Sequence, residues 1–151
     1  MVIKKIGLAV ILAALNIGVF AQDIAGIWQQ IDDKSGAPKA LIQIRKEANN
    51  TYTGKIIKVT PLPGYTPREL CNNCPAPYTN APIVGMDILK GLIQNDKSNS
   101  YSKGTIIDPL AGKIYSAQMK LNESGNRLTL RAFIGVSSLG RSQTWIRHQA
   151  K

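Results

Sequence analysis

The chain has 151 residues with 19 Lys and Arg against 9 Asp and Glu, a formal net charge of +10, and 44% hydrophobic residues. That length is a single domain's worth, so one domain with one hydrophobic core is the expectation. The basic residues are spread along the chain rather than gathered in a run, the pattern of a solvated surface and not of a nucleic-acid-binding arm.

The first segment, Met1-Val-Ile-Lys4-Lys5, is basic, and an apolar stretch from Ile6 to Phe20 follows, broken only by glycine and Asn16. It ends in Val19-Phe-Ala21, a small-x-small cleavage pattern. A membrane anchor is the rival reading, but the stretch is shorter than the roughly 20 apolar residues that span a bilayer. Residues 1–21 are therefore expected to be a cleaved signal peptide, leaving residues 22–151 as a single domain. Loss of Lys4 and Lys5 lowers the net charge from +10 to +8. The only cysteines are Cys71 and Cys74, so none stands at the cleavage point to take a lipid. The expected product is a soluble periplasmic or secreted protein, not an integral membrane protein. In that compartment an anionic ligand or an anionic envelope surface suits the charge better than nucleic acid does.

Segments of strand length then alternate with clusters of Gly, Pro, Asn, Asp and Ser. Strands are predicted near Ile24–Ile31, Ala40–Lys46, Thr51–Val59, Met86–Gln94, Tyr101–Asp108, Lys113–Leu121, Asn126–Ile134 and Arg141–His148. The links Asp32–Gly36, Glu47–Asn50, Pro109–Gly112 and Asn122–Gly125 carry the chemistry of tight hairpins. The simplest all-β solution is an antiparallel up-and-down meander closing into a small eight-stranded barrel of the lipocalin or calycin type; an open sandwich is the alternative. The alternation is clearest where Leu128, Leu130, Ala132 and Ile134 face one way and Arg127, Thr129, Arg131 and Phe133 the other. Tyr115, Ala117, Met119 and Leu121 form a matching apolar face. Val84, Ile88, Leu89 and Leu92 also fit helical spacing, and only Gly85 and Gly91 speak for a strand there.

Residues 60–82 break the rhythm with six of the eight prolines and both cysteines. So long a loop is either a binding element at the barrel mouth or an insertion at a permissive place. Within it, Cys71-Asn-Asn-Cys74 admits several chemistries. Haem attachment needs a histidine where Pro75 stands. A thioredoxin-type site needs a helix that Pro75 and Pro77 obstruct. Structural zinc wants four ligands, and His148 is the sole histidine. A local disulfide fits an exported protein, with redox chemistry and metal binding as the alternatives.

The segment Gly104-Thr-Ile-Ile-Asp108-Pro-Leu-Ala-Gly112-Lys-Ile-Tyr115 reads as a hairpin whose turn Asp108 opens and Gly112 closes. Asp108 has no second carboxylate, base or nucleophile at a recognisable spacing, so it is read as structural, and no enzyme activity, cofactor or metal is expected. At the end of the chain, Arg141, Gln143, Trp145 and Arg147 share one strand face, with Arg131 on the preceding strand. In a closed barrel the first strand, carrying Gly26-Ile-Trp28, lies beside the last, so a guanidinium can cover Trp28 as a latch. If the face points outward it is solvated surface; if inward, it lines a pocket for a carboxylate or phosphate. The pocket reading makes Trp28, Arg131, Arg141, Gln143, Trp145 and Arg147 the ligand-binding set.

The apolar leader, Gly26-x-Trp28, Cys71-x-x-Cys74, the Gly104–Tyr115 hairpin, and Arg131-x-Phe-Ile-Gly135 with Leu139-Gly-Arg-Ser-Gln-Thr-Trp-x-Arg147 together resemble the bacterial exported family called domain of unknown function 2147. The resemblance covers nearly all of residues 22–151. It implies a lipocalin-like barrel in the periplasm or outside the cell, and supplies no chemistry. Three functions follow. The first is a binding module for a small amphipathic or anionic molecule, with an internal cavity. The second is a structural or interaction protein of the envelope, with a filled barrel and an envelope component as partner. The third is a redox or metal protein using Cys71 and Cys74.

Overall fold

Period-two burial makes each segment a strand with one apolar side, and hairpin links bring each strand beside the one before it. The computed structural model describes residues 23–149, so the leader expected over residues 1–21 lies outside the described residues. The strands are β1 (Gly26–Ile31), β2 (Pro38–Lys46), β3 (Thr51–Val59), β4 (Asp87–Gln94), β5 (Ser100–Asp108), β6 (Lys113–Leu121), β7 (Arg127–Phe133) and β8 (Arg141–Arg147). They pair antiparallel in sequence order, and β8 pairs with β1 to close the barrel. The all-β meander is as expected, and the open sandwich is excluded. Closure leaves no unpaired sheet edge among the described residues.

Seven strand ends differ by one or two residues from those expected: β2 and β5 start earlier, at Pro38 and Ser100, β4 and β7 start one residue later, at Asp87 and Arg127, and the other three are the start of β1 and the ends of β7 and β8. β1 begins at Gly26, not Ile24, because Ile24 turns in under the barrel, fully buried, and its carbonyl accepts the Trp28 Nε1–H at 2.8 Å. β7 ends at Phe133, since Ala132↔Arg141 is the last pair of the β7–β8 ladder. Ile134, expected on the apolar face, therefore lies in the connecting loop and is 67% exposed. β8 stops at Arg147, one residue short of the expected end.

The helical spacing in β4 has a specific cause. On β3, Tyr52 and Gly54 are two apart, yet their β4 partners Leu92 and Leu89 are three apart. The extra residue is a bulge at Gly91, whose φ of +71° suits glycine. The bulge shifts the phase so that Leu89 and Leu92, three apart, are both fully buried.

Up-and-down topology gives the barrel two unlike ends. One carries the short turns 47–50, 95–99 and 122–126, and here Ile24, Trp28, Tyr52, Leu92, Tyr101, Leu121, Leu128 and Trp145 fill the interior. Tyr52 and Tyr101 meet edge to face with ring centres 5.4 Å apart. Burial, with Asp23 beside it, raises the Tyr52 hydroxyl well above its ordinary pKa. The other end carries the connections 32–37, 60–86, 109–112 and 134–140. Among the described residues no helix is long and apolar enough to cross a membrane.

On the wall, Arg45 bridges Glu47 at 2.8 Å and Asp87 at 3.0 Å, and the guanidinium holds the Asp87 carboxyl below its ordinary range. A depressed carboxyl pKa contributes stability above the unfolded value of about 4 that is lost as pH falls through the folded one. The Arg45 side chain is 41% exposed, so screening limits the contribution to at most about 1 kcal/mol. Asp87→Asn should therefore lower the urea midpoint slightly at pH 7, and the gap to the parent should narrow as the pH falls below the ordinary carboxylate range.

Candidate functional site at the open end of the barrel

The interior is filled at the short-turn end and hollow at the other, where a cavity of about 630 Å³ opens between the long connections. That is within the 300–1,000 Å³ usual for small-molecule sites. Its apolar wall comes from Ile56 (β3), Ile88 (β4), Ile106 (β5) and Leu130 (β7), with Ile83 and Tyr65 from the long loop. At its floor Gln30 and Gln143 are joined by a hydrogen bond of 2.8 Å from Gln30 Nε2 to Gln143 Oε1. Gln143 also accepts from Trp145 Nε1 at 3.4 Å, which marks where the hollow half meets the filled half. Lys39, Arg68, Lys113 and Arg141 line the mouth with one carboxylate, Asp108. Asp108 Oδ1 accepts the backbone N–H groups of Leu110 and Ala111 at 2.9 and 3.2 Å, in the turn expected for it. Among the described residues the ion pairs are those of Arg45 on the wall, so none of the four mouth cations has a carboxylate within salt-bridge distance; Lys39 acts on Asp32 only from further off.

The six residues expected on one binding face separate into three places, which corrects that expectation. Arg141 and Gln143 line the cavity. Trp28 and Trp145 are fully buried in the filled half and do not line the cavity, Trp145 lying just beneath its Gln143 floor. Arg147 is there too: its guanidinium carbon sits 4.4 Å from the Trp28 ring centre, and it donates to the carbonyls of Gly125 (2.7 Å), Asp23 (2.8 Å) and Ala25 (3.1 Å). Burial pulls its pKa down. This is the β1–β8 latch, and Gly26 makes room for it, since a Cβ there would come within 3.0 Å of Arg147 Nη1. Arg131 lies outside the barrel, because its partner Ser142 is flanked by the inward pairs Leu130↔Gln143 and Ala132↔Arg141. Its guanidinium donates to Ser137 O (2.7 Å), Ser138 O (3.1 Å) and Ser142 Oγ (3.0 Å), clasping the β7–β8 loop.

Cys71 and Cys74 form a disulfide and are both buried. Both sulfurs lie 3.7 Å from the Pro109 carbonyl oxygen; oxidised sulfur has no proton to give, so these are packing contacts. The disulfide turn presses on the β5–β6 hairpin at Gly112, whose φ is +67° and whose missing Cβ leaves space for the Asn73 carbonyl. Tyr78, further along the loop, packs under Lys90 of β4, 4.7 Å from the ring centre. The loop is thus pinned to the barrel at two places and lends Tyr65, Pro67, Arg68 and Ile83 to the cavity. Tyr115, from the same hairpin, lines the mouth as well.

Sequence reasoning missed Lys39, Arg68 and Lys113. Lys39 and Lys113 had a signal: in a meander every even-numbered strand starts at the same end, which brings the starts of β2, β6 and β8 together. Arg68 sits in the aperiodic loop and had none.

The family model described as "Uncharacterized protein conserved in bacteria (DUF2147)" matches residues 26–147. The chain belongs to this family. None of the curated proteins matches it. Among solved structures, the DUF2147 chain is similar to protein HP1028 from the human pathogen Helicobacter pylori, described as belonging to the lipocalin family. The identity is 22%, the TM-score 0.69, and 84% of each chain is covered. At that identity the likeness speaks to the fold, a lipocalin-like barrel, and not to a ligand.

Proposed function

We propose that this protein is an exported binding module for a small anionic amphiphile, whose apolar part occupies the cavity and whose carboxylate or phosphate group meets the cations at the mouth. The observation that carries the reading is the pairing of an apolar-walled cavity of about 630 Å³ with four cations at its rim that make no salt bridge within 4 Å among the described residues. An anion there gains charge-assisted hydrogen bonds while its chain leaves water. Export is supported by the basic-apolar leader with its Ala21 cleavage pattern and by a disulfide, which persists in oxidising compartments. With both sulfurs in the disulfide, Cys71 and Cys74 offer no thiolate for redox attack or metal ligation in this state.

Isothermal titration with dodecanoate and with dodecanol tests the charge requirement. Dodecanoate is expected to bind and dodecanol to bind at least about tenfold more weakly, since a hydrogen bond to a charged group contributes about 1.5–3 kcal/mol. The double variant Lys39→Gln/Arg141→Gln should erase that preference while keeping the parent's unfolding midpoint. Equal affinity for the acid and the alcohol sinks the headgroup assignment. Failure of both to bind, or an unchanged dodecanoate affinity after filling the cavity by Ala132→Trp, sinks the cavity reading.

A further inference from the structure

The β7–β8 loop, residues 134–140, stands at the rim of the cavity and carries its apolar residues outward. Ile134 is 67% exposed, Val136 56% and Leu139 81%. Among the described residues nothing covers these three side chains, which lie within six residues of one another, and exposed apolar groups gathered at one tip mark a contact surface. Arg131 outside the barrel clasps the backbone of Ser137 and Ser138, so the tip is held in a defined shape. Ile134 and Leu139 also belong to the cavity lining, which makes the apolar surface continuous from the tip into the hollow half. Cations flank it: Arg141 follows the loop directly and Lys113 begins β6, the strand beyond β7. Of the acids at this end, Asp32 is engaged by Ser35 through both its N–H and its hydroxyl, and Asp108 by the turn amides; Asp33 and Glu69 lie on other connections.

We propose that this loop is a membrane-docking tip, which inserts Ile134, Val136 and Leu139 among the headgroups of an anionic lipid bilayer while Arg141 and Lys113 meet the lipid phosphates. The inference goes beyond the binding reading by saying where the cavity opens: toward the surface of a bilayer, from which an amphiphile can pass along apolar side chains without crossing water. Two features favour a bilayer over a protein partner. A stable protein interface takes about 800 Å² from each partner, far more than three side chains on one narrow loop present. Apolar groups with adjacent Lys and Arg are also the combination that binds at a lipid interface, where cations gain from the negative surface potential. The net charge of +8 for residues 22–151 acts in the same direction at longer range.

The test is vesicle flotation of protein purified from the envelope of expressing cells, with its N-terminus verified by mass. Vesicles of phosphatidylcholine alone are compared with vesicles containing phosphatidylglycerol, at low and at high salt. Binding is expected to the phosphatidylglycerol vesicles, weakened by salt, and nearly absent with phosphatidylcholine. Ile134→Ser/Leu139→Ser should reduce partitioning at least about tenfold, because each residue removes a buried aliphatic group from the docked state. Both side chains are exposed, so the unfolding midpoint should not move. Ile93→Ser removes an apolar side chain that is 41% exposed on the wall and should leave partitioning unchanged. No binding to phosphatidylglycerol vesicles overturns the proposal and leaves the tip to a protein partner. Equal loss with Ile93→Ser, or no loss with the double variant, overturns it as well. Dodecanoate titration on the same samples separates the two ideas: a protein that binds dodecanoate but not vesicles keeps the cavity reading, and one that binds vesicles but not dodecanoate keeps only the docking tip.

Discussion

Replacing Arg147 with alanine is expected to lower the stability of the barrel by about 3 kcal/mol, among the larger effects a single substitution produces. One guanidinium satisfies three carbonyls, Asp23 O, Ala25 O and Gly125 O, at 2.7–3.1 Å. These belong to the segment before β1 and to the β6–β7 turn, so the side chain ties the chain's entry into the barrel to its closing corner. Alanine leaves acceptors without a donor at a place that water reaches only in part, and an unsatisfied buried polar group costs about 1–3 kcal/mol. The face of Trp28, 4.4 Å away, loses a cation–π contact worth about 0.5–2 kcal/mol. Partial access of water to the vacated carbonyls keeps the total below the sum of these parts. Urea unfolding followed by circular dichroism measures it, and the melting temperature should drop by about 10 °C for a domain of this size. Arg147→Lys should recover less than half, because a single ammonium lacks the fork that reaches acceptors on both sides and stacks poorly on indole. Full recovery by lysine would show that charge alone matters there. Dodecanoate affinity per folded molecule should be unchanged, since the latch sits at the filled end.

That separation between latch and mouth is also where the sequence is least legible. Strand alternation places Arg141, Gln143, Trp145 and Arg147 on one face, and the face is indeed the inner one. Yet from Arg141 to Arg147 is six steps of about 3.3 Å, roughly 20 Å, so the two arginines stand at opposite rims. A face assigned by parity carries no depth, and parity alone merges two sites into one. Arg131 is misplaced by the sequence reading for another reason. Its own alternation against Leu128 and Leu130 puts it on the outside, but grouping arginines by closeness in sequence overrides that signal. The strand order, the hairpin turns and the pairing of a C-terminal guanidinium with Trp28 are legible because they follow from local turn chemistry and from closure. The β4 bulge is not, since a single inserted residue converts strand burial into a helix-like i, i+3 spacing that no window of sequence distinguishes. The hollow half cannot be read at all: whether side chains meet across a barrel depends on their combined volume at each layer, a property of all eight strands at once.

The second large effect is expected at Gly112, where alanine should cost about 3 kcal/mol although it adds one methyl group. Two penalties combine. The residue holds φ at +67°, where an L side chain costs about 1–2 kcal/mol. A Cβ there would also collide with the Asn73 carbonyl, which is backbone held between the bonded Cys71 and Cys74 and so cannot swing aside as a side chain could. Either the β5–β6 turn or the disulfide turn must move; the first lines the cavity mouth through Pro109, Leu110 and Ala111, and the second follows directly on the Tyr65, Pro67 and Arg68 segment that lines its other side. Gly36 supplies the control, for its φ is +70° and nothing lies within 4 Å of the place a Cβ would take. Gly36→Ala should therefore show the backbone penalty alone, about 1–2 kcal/mol, and leave dodecanoate binding as in the parent. Gly112→Ala should be clearly less stable than Gly36→Ala in urea and should bind dodecanoate more weakly at temperatures where it is still folded. Equal destabilisation of the two variants would mean that the loop yields without cost, and then the disulfide turn is not what shapes the mouth.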